Sequence, residues 1–301
     1  MERLSKENLS LLELGESLLV RGEVRRAEKV LKKSVRKLRG DERKLADAMV
    51  SLGVALYRGG KVKESLKTFT VALKLCERIG YGAGVARSYS GIGIAYSSLG
   101  KPLDEALRYH EKALEAAKKA GDLSVEARVL SNMGLTYLMG DKPEKALSVF
   151  REAVEKARMS GEKHVEALAL TNLATAMRIM GRLEEEVSAR RRAIELFDEL
   201  GNVRDAAANR VELASALRQL RRSGEAVEVA ERAKRDFLQI KDKSMVKVVD
   251  ELIRKMRSRE RKCPSCGAVI LVEDLEYCPI CEAVLVEEKK GRRALKLKGK
   301  L

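Results

Sequence analysis

The sequence repeats itself with a period of about forty residues, and this limits the chain to folds that stack similar units in a row. One column of the repeat always holds a small residue, at steps of 40, 41, 40 and 40, and it consists of Gly53, Gly93, Gly134, Ala174 and Ala214. Gly15 lies 38 residues before Gly53 and starts the series. We call these six positions the small-residue column. Units of this kind cover residues 4–241.

Each unit contains two stretches in which apolar residues have helical spacing, and a glycine follows each stretch. The spacing i, i+3, i+4, i+7 is seen, for example, from Ala106 to Ala117. The glycines form two columns, Gly22, Gly60, Gly100, Gly140 and Gly181 after the first stretch and Gly40, Gly80, Gly121, Gly161 and Gly201 after the second. Glycine at such a place is typical of a helix C-cap. Each unit is therefore predicted to be a hairpin of two helices.

A small residue at one fixed place in the first helix of each hairpin lets the neighbouring helix come close. The composition agrees with such packing, because 45% of the residues are hydrophobic while only 4% are aromatic and none is Trp. The stretch 245–258, after the sixth unit, keeps helical spacing and is predicted to be a single capping helix. We expect an all-α solenoid of six hairpins and a capping helix.

The columns resemble the tetratricopeptide repeat (TPR) in its longer variety, with about forty residues per unit. Residues 127–162 fit its pattern of A-x-x-x-x-N-L-G-x-x-Y-x-x-x-G followed by x-x-x-x-A-L. The sixth unit departs from the pattern, since Arg221, Arg222 and Ser223 replace its glycine turn. The resemblance implies a right-handed superhelix whose concave groove docks peptides or proteins and which has no catalytic activity.

Four residues of the first helices are candidates for partner binding because of this resemblance. Asn132 and Asn172 stand two residues before the small-residue column, where an Asn of the forty-residue TPR type grips the backbone of an extended ligand through its amide. Arg87 and Arg128 stand six residues before the column and are expected to pair with ligand carboxylates. We therefore predict a ligand of acidic character across units three to five. The alternative is that these side chains are only solvated.

Four of the five cysteines form two C-x-x-C pairs near the end of the sequence. Cys263 and Cys266 make the first pair and Cys278 and Cys281 the second, with eleven residues between the pairs. Two such knuckles that face each other form the tetrahedral S₄ site that Zn²⁺ prefers, and four thiolates leave no position open for catalysis. The segment resembles a short zinc ribbon of prokaryotic, archaeal character. We predict one structural Zn²⁺, in preference to a redox dithiol or a rubredoxin-like iron site.

The formal net charge of +16 favours an acidic partner. Residues 21–44 hold eleven Lys or Arg against four acids, and basic residues also dominate 254–262 and 289–301. The segment 263–288 between the last two has six acidic residues and no basic ones. The alternative function is therefore a nucleic-acid-associated regulator that contacts DNA or RNA through the basic arms flanking the ribbon. A thermophile-like surface rich in Lys, Arg and Glu is a further explanation.

The sequence offers no catalytic constellation. His110 and His164 stand at helical positions without a matching Cys or Ser–Asp set, and both are expected to be surface or packing residues. No apolar run reaches the roughly 18 residues needed to cross a bilayer, and the first residues do not resemble a signal peptide. We expect a cytoplasmic protein that is not an enzyme and has neither a membrane nor a small-molecule substrate as partner.

The expected organisation has four parts. They are a solenoid with its capping helix at 1–257, a basic linker at 258–262, the zinc ribbon with short β-prone runs at 263–288, and a basic, disordered tail at 289–301. The predicted function is that of an adaptor. It holds a protein or peptide partner in the concave groove and uses the ribbon as a second interaction module.

Overall fold

The computed structural model describes residues 10–38, 40–257, 260–263, 265–267, 269–271 and residue 281. The helices are α1 (Leu11–Val20), α2 (Val24–Lys37), α3 (Glu42–Arg58), α4 (Val62–Arg78), α5 (Gly82–Ser98), α6 (Leu103–Ala120), α7 (Leu123–Met139), α8 (Pro143–Ser160), α9 (Lys163–Ile179), α10 (Leu183–Glu199), α11 (Val203–Gln219), α12 (Ser223–Gln239) and α13 (Lys243–Arg257). The strands are β1 (Glu260–Lys262) and β2 (Val269–Leu271). None of the described helices is long and apolar enough to cross a membrane.

The first twelve helices form six hairpins of consecutive helices, which we number units one to six, and α13 packs on the second helix of unit six. The predicted all-α solenoid with a capping helix is therefore confirmed. The first helices of units one to five also contact one another in order, whereas no comparable contact joins the second helices in the described part of the chain. Because the first helices approach each other more closely than the second helices do, the array curves towards them, and they line its concave side.

The array coils far enough to bring its ends together. Gly22, in the turn of unit one, lies against the side chain of Arg204 at the start of α11 in unit six. A Cβ atom on Gly22 would lie 3.3 Å from Arg204 Cδ. Arg204 is itself held by an ion pair of 2.9 Å between its Nη1 and Asp242 Oδ2. The first and last units therefore meet across the superhelix.

The small-residue column makes room for a large side chain on the second helix of the same hairpin. A Cβ on Gly53 would lie 2.6 Å from the ring of Phe69, and a Cβ on Gly134 would lie 2.7 Å from Cδ1 and Cζ of Phe150. Such distances are shorter than carbon atoms tolerate. Both rings are fully or almost fully buried. The column is small because the space next to it is already filled.

In each unit, the turn between the two helices has a residue in the left-handed conformation seven positions after the small-residue column. This corrects the glycine column predicted after the first helices at one position, Gly140. Gly181 in unit five takes this conformation with φ of 71°. In unit four Gly140 ends the helix at φ of −91°, but the left-handed residue is Asp141, because Gly140 follows Gly134 by only six residues. In unit six Arg221 takes the same place at φ of 60°.

The strands β1 and β2 pair antiparallel, with Glu260 opposite Leu271 and Lys262 opposite Val269. The segment 258–262 is therefore not wholly a linker as predicted, since three of its residues form a strand. Backbone hydrogen bonds with β2 stabilise this strand although its sequence is charged, because a β ladder is held by main-chain groups. The β-prone runs after β2 lie outside the described residues, as does the predicted tail 289–301.

Candidate functional site

The two predicted asparagines lie on the concave side at equivalent positions of consecutive units, forty residues apart. Asn132 on α7 is half-buried, and its Nδ2 donates to Ser90 Oγ on α5 at 2.9 Å. Asn172 on α9 is also half-buried and has no hydrogen-bond partner within the described part of the chain. Asn132 thus keeps its amide oxygen available, and Asn172 keeps its whole amide. Their role in binding stays a prediction.

Arg87 is the first of the two arginines predicted to meet a ligand carboxylate. Its Nη2 forms an ion pair with Asp47 Oδ1 on the first helix of the preceding unit and donates to the Tyr81 hydroxyl at 2.8 Å. Arg43 also lies over the Tyr81 ring, with its Cζ 4.6 Å from the ring centre. The charge of Arg87 is therefore already matched inside the protein. A ligand carboxylate would have to compete with Asp47.

Arg128 on α7, the second predicted arginine, keeps half of its side chain exposed. Its Nη2 lies 3.7 Å from Glu162 Oε2, which makes a loose ion pair between two exposed side chains. Exposed pairs of this kind contribute little and exchange partners easily. The structure does not bring Arg128 and Arg87 into one binding group, and Arg128 is the better placed of the two to meet a carboxylate.

Two exposed apolar side chains share a helix face with the asparagines, and sequence analysis missed them. Met139 follows Asn132 by seven residues and Ile179 follows Asn172 by seven, which is almost two helical turns. Met139 is 53% exposed and Ile179 is 54% exposed. Their equivalent positions in consecutive units were the signal that could have found them. The concave side of units four and five therefore presents amides alternating with apolar groups.

A buried ionic group lies behind the concave side of units five and six. Arg190 is only 2% exposed, and its Nε donates to Glu186 Oε1 at 2.7 Å. Its Nη1 donates to Asn209 Oδ1 on α11 at 3.3 Å. Arg190 stands at the position that Phe150 fills in unit four, sixteen residues after the small-residue column. The ion pair lies within α10, and the hydrogen bond to Asn209 joins unit five to unit six, so the group is a structural feature of the solenoid.

The two histidines are packing residues, as expected. His110 is fully buried, and its Nε2 lies 2.9 Å from Thr136 Oγ1. Burial lowers the pKa of His110 to about 4, so the imidazole is neutral at pH 7. His164 is half-buried against Phe197, and burial likewise lowers its pKa.

Three of the four predicted zinc ligands come together in the structure. The Sγ atoms of Cys263, Cys266 and Cys281 all lie within 4.8 Å of one another, and those of Cys263 and Cys281 are 3.5 Å apart. A hydrogen bond of 2.9 Å from Gly267 N to Cys263 O closes the turn of the first C-x-x-C pair, and Gly267 has a φ of 70°. Cys278 lies outside the described residues.

The electrostatics of this cluster suit a thiolate. Several hydrogen bonds lower the pKa of the Cys263 thiol to about 6, and the bond from the backbone N–H of Cys266 contributes most. In a tetrahedral zinc site with Zn–S bonds of about 2.3 Å, neighbouring sulfur atoms are separated by about 3.8 Å. The 3.5 Å between the Sγ atoms of Cys263 and Cys281 is close to that separation. Their all-sulfur chemistry suits Zn²⁺ rather than a hard cation.

Comparison with known families agrees with the repeat structure. Models of the tetratricopeptide repeat match residues 12–78 and residues 84–159. These stretches correspond to units one and two and to units three and four. The fold and these matches together define the chain as an α-helical repeat protein that contains tetratricopeptide repeats. The chain matches none of the curated proteins.

Solved structures share the fold of the solenoid. A Rap protein complexed with competence and sporulation factor has a TM-score of 0.61 at 15% identity, over 84% of this chain and 77% of that one. A signal-transduction ATPase with a tetratricopeptide repeat sensor from Pyrococcus horikoshii has a TM-score of 0.59 at 20% identity, over 82% of this chain and 38% of that one. The Rap conjugation gene regulator of plasmid pLS20, in complex with the Phr* peptide, has a TM-score of 0.59 at 18% identity, over 82% and 74%. At these identities the likeness is one of fold.

Proposed function

We propose that this protein is a non-enzymatic scaffold that binds an extended segment of a partner protein along the first helices of units three to five. Two structures with the same fold support the proposal, because one is complexed with the Phr* peptide and the other with competence and sporulation factor. The observation that carries it is the face shared by α7 and α9. There, two amides alternate with two exposed apolar side chains.

This face suits an extended peptide for physical reasons. An Asn amide both donates and accepts, so Asn132 and Asn172 together can pair with the backbone of a strand-like ligand in place of water. Met139 and Ile179 offer apolar contact to ligand side chains, and Met adapts its shape easily. The arginines add less than the sequence suggested, because Asp47 neutralises Arg87. The proposed ligand is therefore mainly apolar, with an acidic residue accommodated beside Arg128.

Selection from a random twelve-residue peptide library tests this site directly. We expect selected peptides to lose binding to a Met139→Asp/Ile179→Asp variant and to an Asn132→Ala/Asn172→Ala variant. The matched control is Met159→Asp/Leu238→Asp, which changes two exposed apolar residues on the second helices α8 and α12. Equal loss of binding in the control would contradict the site.

Capture of the natural partner from native lysate, with and without nuclease, then separates protein binding from the alternative. We expect the same partner protein in both samples. A partner that disappears with nuclease treatment would favour the nucleic-acid-associated regulator and contradict the scaffold.

We also propose that Cys263, Cys266, Cys278 and Cys281 hold one structural Zn²⁺ in a zinc ribbon that forms a second contact surface. Such a segment is too short to bury a core of its own, and when bound the metal supplies folding free energy. Support comes from the three clustered thiols and from the reversal of the chain between β1 and β2.

Metal analysis of the purified protein tests the zinc site. We expect about one zinc per chain, because four thiolates bind one ion. Cys263→Ser and Cys281→Ser should each lose most of the metal, while Cys76→Ala, which changes the buried cysteine of α4, should keep it. Far less than one zinc in the unaltered protein, or iron in its place, would contradict the proposal.

A further inference from the structure

A cavity of about 720 Å³ lies between α2 of unit one and the turn that joins α3 to α4 in unit two. Its charged lining consists of Arg25, Lys29, Lys32, Arg58, Lys61 and Glu28. Five cations thus face one carboxylate. Three of the cations belong to the basic concentration at residues 21–44, which the concave site does not use. We propose that it binds a small ligand with several phosphate groups, such as a nucleoside triphosphate.

The single carboxylate positions two of the cations instead of cancelling the site. Glu28 Oε1 lies 2.7 Å from Lys32 Nζ, on the same helix, and 2.7 Å from Lys61 Nζ, on the turn of the next unit. Hydrogen bonds from these two ammonium groups lower the pKa of Glu28, so the carboxylate stays charged. One carboxylate therefore fixes two ammonium groups that come from opposite walls of the cavity.

The other three cations retain hydrogen-bonding capacity for a ligand. Arg58 Nη1 donates to the backbone oxygen of Leu19, at the end of α1, at 3.0 Å, which fixes the guanidinium and leaves its remaining N–H groups available. Arg25 and Lys29 lie four residues apart on one face of α2. Neither has an ion-pair or hydrogen-bond partner among the residues that the structure describes. The lining carries a net charge of +4 with no internal partner for half of it.

The shape of the site favours a small polyphosphate over a nucleic-acid strand. Guanidinium and ammonium groups bind phosphate oxygens through short, charge-assisted hydrogen bonds, and Arg does so with two at once. The volume lies in the range of about 300–1,000 Å³ that small-ligand pockets occupy. The cations converge on this volume from two elements, whereas a nucleic-acid backbone is followed by an extended groove.

Calorimetric titration of the full chain with metal-free tripolyphosphate and with ATP tests the proposal. We expect saturable binding of one ligand per chain that weakens as salt is raised. An Arg25→Gln/Lys29→Gln variant should lose affinity by about tenfold or more, because two direct phosphate contacts are removed. Both side chains are exposed, so the thermal unfolding midpoint should stay within about 2 °C of the unaltered protein.

The matched control is Lys63→Gln/Lys67→Gln, which removes the same charge at the same spacing from an exposed face of the neighbouring helix α4. We expect its affinity to stay within about twofold of the unaltered protein. Equal losses in both variants would show that only net charge matters and would overturn the site. Absence of saturable binding at low salt would also overturn it. So would affinity for single-stranded oligonucleotides that grows with length and is not displaced by tripolyphosphate.

Discussion

In units two and four, a phenylalanine of the second helix packs against the small-residue column. Units three and five have a histidine and an arginine at the corresponding point of the second helix. Phe69 and Phe150 lie in apolar surroundings. His110 is equally buried but lies beside Thr136 Oγ1 at 2.9 Å. Arg190 is 2% exposed and is paired with Glu186. Four units of one repeat thus fill the same space with two kinds of chemistry.

This difference shows that the second-helix side chain opposite the small-residue column must first of all fill the space there. It does not have to be apolar. Burying a polar group costs free energy unless it finds a hydrogen-bond partner, and burying a charge costs more. Unit three meets that condition with Thr136 beside His110, and unit five meets it with Glu186 and Asn209 around Arg190. We therefore expect substitutions in units three and five to lower the free energy of unfolding through lost polar partners. Substitutions in units two and four should lower it through changes in packing.

The largest effect is expected from Glu186→Ala. This change removes the carboxylate 2.7 Å from the buried Arg190 guanidinium and leaves only Glu212 Oε2, which is partly exposed, at 3.9 Å. Losing one member of a buried ion pair costs about 3–5 kcal/mol of the free energy of unfolding. Urea denaturation followed by circular dichroism measures it. The double variant Glu186→Leu/Arg190→Met should recover most of this loss, since it replaces the pair by apolar groups of similar volume. A single variant as stable as the unaltered protein would erase the distinction between units four and five.

The next effect concerns pH and unit three. The pKa of His110 falls from 6.5 to about 4 in the folded chain because the side chain is buried, so the unfolded chain takes up a proton that the folded chain does not. Stability should therefore decrease by up to roughly 3 kcal/mol as the pH falls from about 6.5 to about 4. Denaturation at several pH values checks this. His110→Phe should remove that part of the pH dependence, whereas His164→Gln should leave it in place.

A smaller effect is expected from Gly134→Ala in unit four. A methyl group there would meet the ring of Phe150, and overpacking of this kind costs about 1–3 kcal/mol. The better helix propensity of Ala returns about 1 kcal/mol, so the net loss is between about 0 and 2 kcal/mol. The reverse change, Ala174→Gly in unit five, should cost the propensity term and about 0.8 kcal/mol more for the buried methyl group that is lost. If Gly134→Ala raised the unfolding midpoint, the small-residue column would have no steric role in unit four.

The smallest effect compares the ends of units five and six. Gly201 ends unit five at φ of 65°, while Lys241 takes the same conformation at φ of 58° in unit six. An L-residue is strained in this region and glycine is not. Lys241→Gly should therefore raise the free energy of unfolding by about 0.5–1 kcal/mol. Lys241→Ala, which keeps the strain, should bring no gain in the same denaturation experiment.

Much of the architecture could be predicted from the sequence, because helical hairpins are local. Spacing along the chain placed each turn to within a residue or two, and the small-residue column indicated where helices come close. The prediction for Gly140 was wrong because the left-handed residue of the turn lies seven positions after Gly134, and that position holds Asp141. The strand at 260–262 was missed because its partner, Val269–Leu271, holds it through backbone pairing that residue type does not reveal.

The candidate sites divide in the same way. The sequence by itself determined the repeat, its six units and the cysteine spacing, because each depends on residues close together in one unit or one turn. Tertiary structure decided which charges are available. Asp47 and Arg87 lie forty residues apart and meet only when neighbouring units stack, and Lys61 meets Glu28 in the same way. Pairing between units depends on the curvature of the whole array, which no single unit encodes.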